Sequence, residues 1–184
     1  DELLSQALSQ AAFEAGDVDP VEPTQNGSVD ADVINGDDGD NSINAGGGSD
    51  SANGGSGDDT LLGGGGGDTL VGGKGSDELI GGGAGKDIVL GGGGADTLTG
   101  GRGRDELTGG RGSDRFEFKR GDGRDTVTDY EDGRDKFIIG LGADDFSDLT
   151  INQFGSNAHI TFANVRIVVE DTDADVLGAN DFLF

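Results

Sequence analysis

The chain has no cysteine, methionine or tryptophan, a single histidine, a single tyrosine and two prolines among 184 residues. Without cysteine no disulfide can staple it. With His159 alone, neither a His-x-x-x-His pair nor a three-histidine zinc site can form, and an exposed place on a strand is the expectation for this residue. Apolar residues make up 32% of the chain, against the usual ~45–50%, so one large core cannot be buried. No apolar run approaches the ~20 residues of a membrane-spanning helix. The start, Asp1-Glu2-Leu3-Leu4, has neither the basic region nor the apolar core of a cleavable export signal, and the lack of an initial Met suggests a fragment or processed product. Basic residues are also scarce, 12 against 37 acidic ones, for a formal net charge of −25. Such a surface repels phosphate backbones, which argues against nucleic-acid binding.

Glycine is what the chain has in abundance, 39 residues of it. Low hydropathy with high net charge is otherwise the signature of disorder, so folding requires something that neutralises the carboxylates. A hard divalent cation with oxygen ligands is the obvious candidate.

The order of the residues is more informative than their proportions. Asp1–Ala15 carries Leu3, Leu4, Ala7, Leu8, Ala11 and Ala12 at helical spacing, so a short amphipathic helix or a frayed linker is expected there. Residues 16–26, with both prolines, read as an extended linker. From residue 27 a period of nine takes over, a sign of repeat architecture. Gly54-Gly55-Ser56-Gly57-Asp58-Asp59-Thr60-Leu61-Leu62 is followed directly by units at 63–71 and 72–80. After an extra residue, placed at Gly81, the units resume at 82–90, 91–99, 100–108 and 109–117. Upstream units at 27–35, 36–44 and 45–53 are weaker, with Asn41 in the aspartate position and Asp37 in that of the second glycine. Downstream, residues 120–127 and 131–137 repeat the turn after small insertions. Decay at both ends is expected of capping units.

The eighth position of each unit is apolar: Ile43, Ala52, Leu61, Leu70, Leu79, Val89, Leu98, Leu107 and Phe116. Three residues around it make a short strand with that one side chain inward. The glycine-rich remainder reverses the chain, because glycine reaches positive φ without strain. Two units then form one coil, and stacked coils give two narrow parallel sheets about a thin apolar column. At ~25 cal/mol per Å² that column cannot outweigh ~1–2 kcal/mol of backbone entropy per ordered residue. The sixth-position aspartates stack on two edges at the ~4.8 Å rise between strands. They would line oxygen-rich gaps suited to the 6–8 ligands of Ca²⁺ at ~2.3–2.6 Å and too loose for Mg²⁺. After Phe137 the stretches 137–139, 149–154, 159–162 and 165–169 read as strands of a small antiparallel cap.

The nonapeptide resembles the RTX family of calcium-binding repeats, over roughly 27–184. The resemblance implies an all-β chain, a right-handed parallel β-roll (β-solenoid) with a C-terminal antiparallel β cap. It divides the chain into residues 1–26 as linker, 27–138 as roll, and 139–184 as cap and type I secretion signal. In the family, carbonyls of the second and fourth positions and the aspartate of one turn share an ion with carbonyls of the first and third positions and the aspartate two units on. Gly55, Gly57 and Asp59 would thus meet Gly72, Lys74 and Asp77, and Gly92, Gly94 and Asp96 would meet Gly109, Arg111 and Asp114. The implied calcium ligands are Gly46, Gly48 and Asp50; Gly54 and Ser56; Gly63, Gly64, Gly65, Gly66 and Asp68; Gly73 and Gly75. Further along they are Gly82, Gly83, Ala84, Gly85 and Asp87; Gly91 and Gly93; Gly100, Gly101, Arg102, Gly103 and Asp105; Gly110 and Gly112. In the degenerate turns they are Asp122, Asp125, Asp132 and Asp135. Several Ca²⁺, about six to nine, would bind. Distortion is expected where the extra residue stretches the pairs Asp68 with Asp87 and Asp77 with Asp96, and at Asn41 with Asp37. Residues 116–141 look like the flank that follows such rolls, and Asp181-Phe182-Leu183-Phe184 resembles the uncleaved secretion signal, although the same residues could form a last strand.

Rival chemistries fit poorly. Glycine-rich nucleotide loops lack their third glycine, at Thr69 and Glu106, and no serine lies in Gly-x-Ser-x-Gly. Asp171-Thr172-Asp173-Ala174-Asp175 opens like an EF-hand, but Val176 and Phe182 stand where glycine and glutamate are needed, so an acidic turn is expected. Nothing marks this chain as an enzyme; in the family, catalytic domains lie N-terminal to the roll. An ice-binding threonine row is interrupted by Glu78, Ile88, Glu106 and Arg115. The basic residues Lys74, Lys86, Arg102, Arg104 and Arg111 would contact an anionic carbohydrate or temper the acidic field. The expected function is therefore a calcium-dependent folding module of a secreted or cell-surface bacterial exoprotein, partnered by calcium and, through its C-terminus, the type I secretion apparatus.

Overall fold

The computed structural model describes residues 25–184, so the N-terminal helix and nearly all of the linker expected from the sequence lie outside the described residues. Strands β1 (Gln25–Asn26), β2 (Val33–Asn35), β3 (Ser42–Asn44), β4 (Ser51–Ser56), β5 (Thr60–Gly64), β6 (Thr69–Lys74), β7 (Glu78–Gly85), β8 (Ile88–Gly93), β9 (Thr97–Gly103), β10 (Glu106–Arg111), β11 (Arg115–Phe118), β12 (Arg124–Val127) and β13 (Lys136–Ile139) follow one another along the roll. Odd-numbered strands pair parallel in one sheet and even-numbered strands in the other. Each strand therefore meets the strand one coil away, with Leu61 opposite Leu79 and Leu70 opposite Val89.

The alternation expected around the eighth position holds from unit 36–44 to unit 109–117, except that Thr99 beside Leu98 is buried too, and Ile34 of unit 27–35 is only half-buried. Ile43, Ala52, Leu61, Leu70, Leu79, Val89, Leu98, Leu107 and Phe116 are all buried, and Val127 and Phe137 prolong the column. Flanking positions are less buried because successive side chains of a strand face opposite ways. The strands outrun the expected three residues: β4 and β6 continue into the following glycines, where Gly55 stays in register with Gly73.

The extra residue is not at Gly81. Gly82 has φ +110°, like the second-position Gly64 and Gly101, and it pairs with both. Gly81 is thus the first position of its turn and Gly82 the second. The insertion is absorbed between Gly82 and Gly85, where the register between β7 and β9 shifts. One strand bulges and its neighbours keep their pairing.

At the C-terminal end the column widens. Phe137 stacks on Tyr130 (ring centroids 4.9 Å apart) and on Phe182 (5.3 Å), with Phe116 at 6.0 Å. β14 (Thr150–Phe154), β15 (Asn157–Phe162) and β16 (Val165–Val169) form the antiparallel group expected of a cap. Two features differ from expectation. Residues 137–139 belong to β13, a parallel roll strand paired with β11, and β16 pairs parallel with β12, so the cap is continuous with the second sheet. β17 (Phe182–Leu183) adds to β13 as the last strand of the first sheet. His159 is half-buried and stacked on Phe154 at 4.5 Å rather than exposed.

Candidate metal centre

The turns between strands lie along two edges of the roll, and each edge carries one column of aspartates. On one edge the backbone N–H of Asp32 donates to Oδ1 of Asp50, Asp50 to Asp68, Asp68 to Asp87, Asp87 to Asp105 and Asp105 to Asp125, at 2.8–3.0 Å. On the other edge Asn41 donates to Asp59, Asp59 to Asp77, Asp77 to Asp96, Asp96 to Asp114 and Asp114 to Asp135, again at 2.8–3.0 Å. Each aspartate thus uses one oxygen to tie its coil to the coil before it.

The second oxygen is left over. Oδ2 of Asp50, Asp59, Asp68, Asp77, Asp87, Asp96, Asp105 and Asp125 is buried without a hydrogen-bond partner. A buried carboxylate oxygen with no partner carries a full desolvation penalty. The consequence appears in the proton affinities. Burial raises the carboxyls of Asp87 and Asp96 to about 6, partly offset by the backbone donor and reinforced by the next aspartates of the column. Burial likewise raises Asp59, Asp68, Asp77 and Asp114. It also raises the adjoining Asp105 and Asp125, to which each other's charge adds in the case of Asp125.

These oxygens point at a common kind of place. A β-carbon on first-position Gly72 would lie 2.3 Å from Asp77 Oδ2 and 2.7 Å from the carbonyl oxygen of Gly91, one coil on. On Gly91 it would lie 2.4 Å from Asp96 Oδ2 and 2.6 Å from the Gly109 carbonyl, and on Gly63, 2.6 Å from Asp68 Oδ2 and 2.7 Å from the Gly81 carbonyl. Carboxylate and carbonyl oxygens from successive coils therefore converge where only a missing side chain leaves room. Among the described residues no three acidic or histidine side chains gather at one point, so any ion held here relies on backbone oxygens. That donor set is all oxygen and suits Ca²⁺.

The structure brings Asp59 to the 72–77 turn and Asp96 to the 109–114 turn, the pairs anticipated from sequence. It also keeps Asp68 with Asp87 at 2.8 Å and Asp77 with Asp96 at 2.9 Å, so the distortion expected of these pairs is absent from the aspartate columns. Because Gly81 and Gly82 take the first and second positions of that turn, the anticipated roles of Gly82 and Gly83 as first and second are each one residue late. Asn41 occupies its column position, with Oδ1 buried and unpartnered while Nδ2 turns back onto Asp37 Oδ1 and the Gly39 carbonyl.

In the degenerate turns, Asp125 and Asp135 join the columns, but Oδ2 of Asp135 already accepts the Glu131 N–H at 2.8 Å. Asp122 is buried and accepts the Lys119 N–H at 2.7 Å, and Asp132 is exposed, so neither extends a column. Two aspartates not singled out from sequence also take part. Asp32 starts one column, its Oδ2 bonded to Ser28 N and Oγ; its sixth position in the weak unit 27–35 was the available signal. The carboxylate of Asp129 accepts the N–H groups of Gly109 and Gly110 at 2.9 and 2.7 Å, a role that no repeat position marks. The acidic turn at Asp171–Asp175 is as expected, with Asp173 accepting the Asp175 N–H.

Parallel coils with buried aspartates along two edges define a repeat-built β-roll of the kind that holds metal in its turns. Residues 26–61, 62–84 and 81–116 match the model of the RTX calcium-binding nonapeptide repeat, and over that stretch the chain belongs to this family, a calcium-binding structural module. No curated protein sequence matches the chain. Among solved structures it is similar to the extracellular lipase LipA of Serratia marcescens, with 16% identity and a TM-score of 0.39 over 90% of this chain; the chain spans 40% of the lipase. It is also similar to two subunits of the Azotobacter vinelandii mannuronan C5-epimerase. For AlgE6R3 the identity is 22% and the TM-score 0.41, over 91% of this chain and 86% of the subunit. For AlgE6R2 they are 27% and 0.42, over 82% and 91%.

Proposed function

We propose that the gaps between successive turns on both edges hold Ca²⁺, and that this binding is what folds the chain. The single observation that carries the reading is the series of eight buried, unpartnered Oδ2 atoms. A divalent ion would supply the charge that burial withholds from these carboxylates. The residues that would hold it are the column aspartates, from Asp50 and Asp59 through Asp114 and Asp125, with glycine, lysine and arginine carbonyls of the intervening turns. Asp122 and Asp132 are left out.

Because each coil completes the turn of its neighbour, binding is cooperative along the roll and coupled to folding. Extracellular calcium modules bind at ~10⁻⁴–10⁻³ M, far above resting cytosolic calcium. The chain would then remain unfolded in the cell and fold after export, with residues 27–138 as the calcium module and 139–184 as cap and type I secretion signal of a larger exoprotein. Equilibrium dialysis of the chain against calcium tests the first part. Several ions per chain, taken up over a narrow concentration range, are expected; one ion or none contradicts it. Fusion of residues 139–184 to a passenger in a strain with a type I exporter tests the second, with passenger in the medium expected and cytoplasmic retention contradicting it.

A further inference from the structure

All 12 basic residues of the chain lie at or after Lys74, and several are stacked. On the edge that carries Asp87, Asp105 and Asp125, the residues just before those aspartates are Lys86, Arg104 and Arg124. Gly103 is bridged to Gly123, which sets Arg104 one coil from Arg124. Arg124 is in turn directly opposite Arg166 of β16, whose N–H donates to the Gly123 carbonyl at 2.8 Å. The result is a row of four cations, one per strand, at a pitch of ~4.8 Å. Lys86 is paired with Glu106 at 3.1 Å. Arg104, Arg124 and Arg166 are exposed, and none has a salt bridge or a side-chain hydrogen bond among the described residues.

Like charges directly opposite one another on neighbouring strands repel. In a chain of net charge −25, three guanidiniums left without carboxylate partners are conspicuous. They also line one open groove of about 500 Å³ with Thr161, Ala163 and Asn164. Ala163 and Asn164 are the two-residue tip of the hairpin between β15 and β16, since Phe162 pairs with Val165. Ala163 sits at φ +45°, as the first residue of a two-residue hairpin turn must. The positive field is felt at His159, whose imidazole is held below its ordinary value by burial and then by Arg166 and Arg124.

We propose that this groove binds a carboxylated saccharide chain, such as a polyuronate. Guanidinium forks take carboxylates in bidentate fashion. The Thr161 hydroxyl and Asn164 amide suit sugar hydroxyls, and the regular pitch suits a ligand with an anionic group on every unit. The groove contains no aromatic ring on which a nucleobase could stack. The reading concerns the C-terminal half of the roll and requires the chain to be folded, so it rests on the calcium-dependent fold proposed above.

The test is isothermal titration of the calcium-saturated chain with trigalacturonate, too short to gel, with circular dichroism of the same samples. Saturable binding is expected, weakened about tenfold or more in each of Arg104→Gln, Arg124→Gln and Arg166→Gln. Arg115→Gln, outside the groove, should leave it unchanged. Absence of binding by a sample whose spectrum shows a folded roll would overturn the proposal. So would binding that all three variants retain, which would mean calcium bridging to the acidic faces, or binding of anionic phospholipid vesicles without binding of the trisaccharide. A spectrum that calcium leaves unfolded would instead overturn the calcium reading on which the proposal rests.

Discussion

At the residue scale, what matters is the division of labour within each aspartate. Oδ1 is tied to the neighbouring coil, and Oδ2 is buried and free. Asp96→Asn retains an acceptor for the Asp77 N–H and removes the charge. It is expected to raise the calcium concentration needed for folding on the order of tenfold while making the metal-free chain easier to fold. Calcium titrations read the first effect and osmolyte-driven folding in chelator reads the second, and equal shifts in the same direction would contradict the assignment. Glycine is required at some positions of the repeat and not at others. Gly91 has no positive φ, yet a β-carbon there would lie 2.4 Å from Asp96 Oδ2, so Gly91→Ala should impair calcium-dependent folding. Gly65, with open space around it, should tolerate alanine within about 0.5 kcal/mol. Thermal melts in calcium compare the two. The aspartates and the glycine excess were plain in the sequence, but the N–H to Oδ1 bonds were not. They join residues 18 to 21 positions apart, and no local pattern encodes them.

The unit that counts at the next scale is the coil, which buries one side chain per nine residues. Leu98 is fully buried between Leu79 and Phe116 of the neighbouring coils, and Leu98→Ala is expected to cost about 2–5 kcal/mol. Phe137 anchors the aromatic end, and its replacement by alanine should cost about 3–5 kcal/mol and loosen β17 as well. Chemical denaturation in saturating calcium checks both. The inward positions were legible from Ile43 to Phe116 because the period-nine pattern marks one apolar residue per unit. The place of the insertion was not. Gly81-Gly82-Gly83 offers three identical letters, and only the pairing of Gly82 with Gly64 and Gly101 sets the phase. The cap was legible as strands but not in its attachment. Residues 137–139 read as a cap strand from their apolar run, and only Arg115–Phe118 beside them makes them a strand of the roll.

For the whole molecule, a thin column and two stacks of carboxylates make stability a question of charge. In metal-free protein the carboxyls of Asp87 and Asp96 lie near 6, against ~3.9 when unfolded. The folded state therefore holds more protons than the unfolded one in that range. The contribution is complete below about 4 and is lost as pH rises through about 6, so metal-free protein should need less stabilising osmolyte to fold at pH 4.5 than at pH 7. With calcium the order reverses, because protons compete with the ion for the same oxygens. Osmolyte titrations in chelator and calcium titrations, each at both pH values, are expected to give opposite orders; the same order in both would contradict the charge argument.

The most direct test of the central claim, that the metal rather than the core folds this chain, is far-UV circular dichroism of metal-free protein titrated with calcium at pH 7. A disordered spectrum that turns β-rich cooperatively in the submillimolar to millimolar range is the predicted result. A spectrum already β-rich in chelator and unmoved by calcium would contradict it.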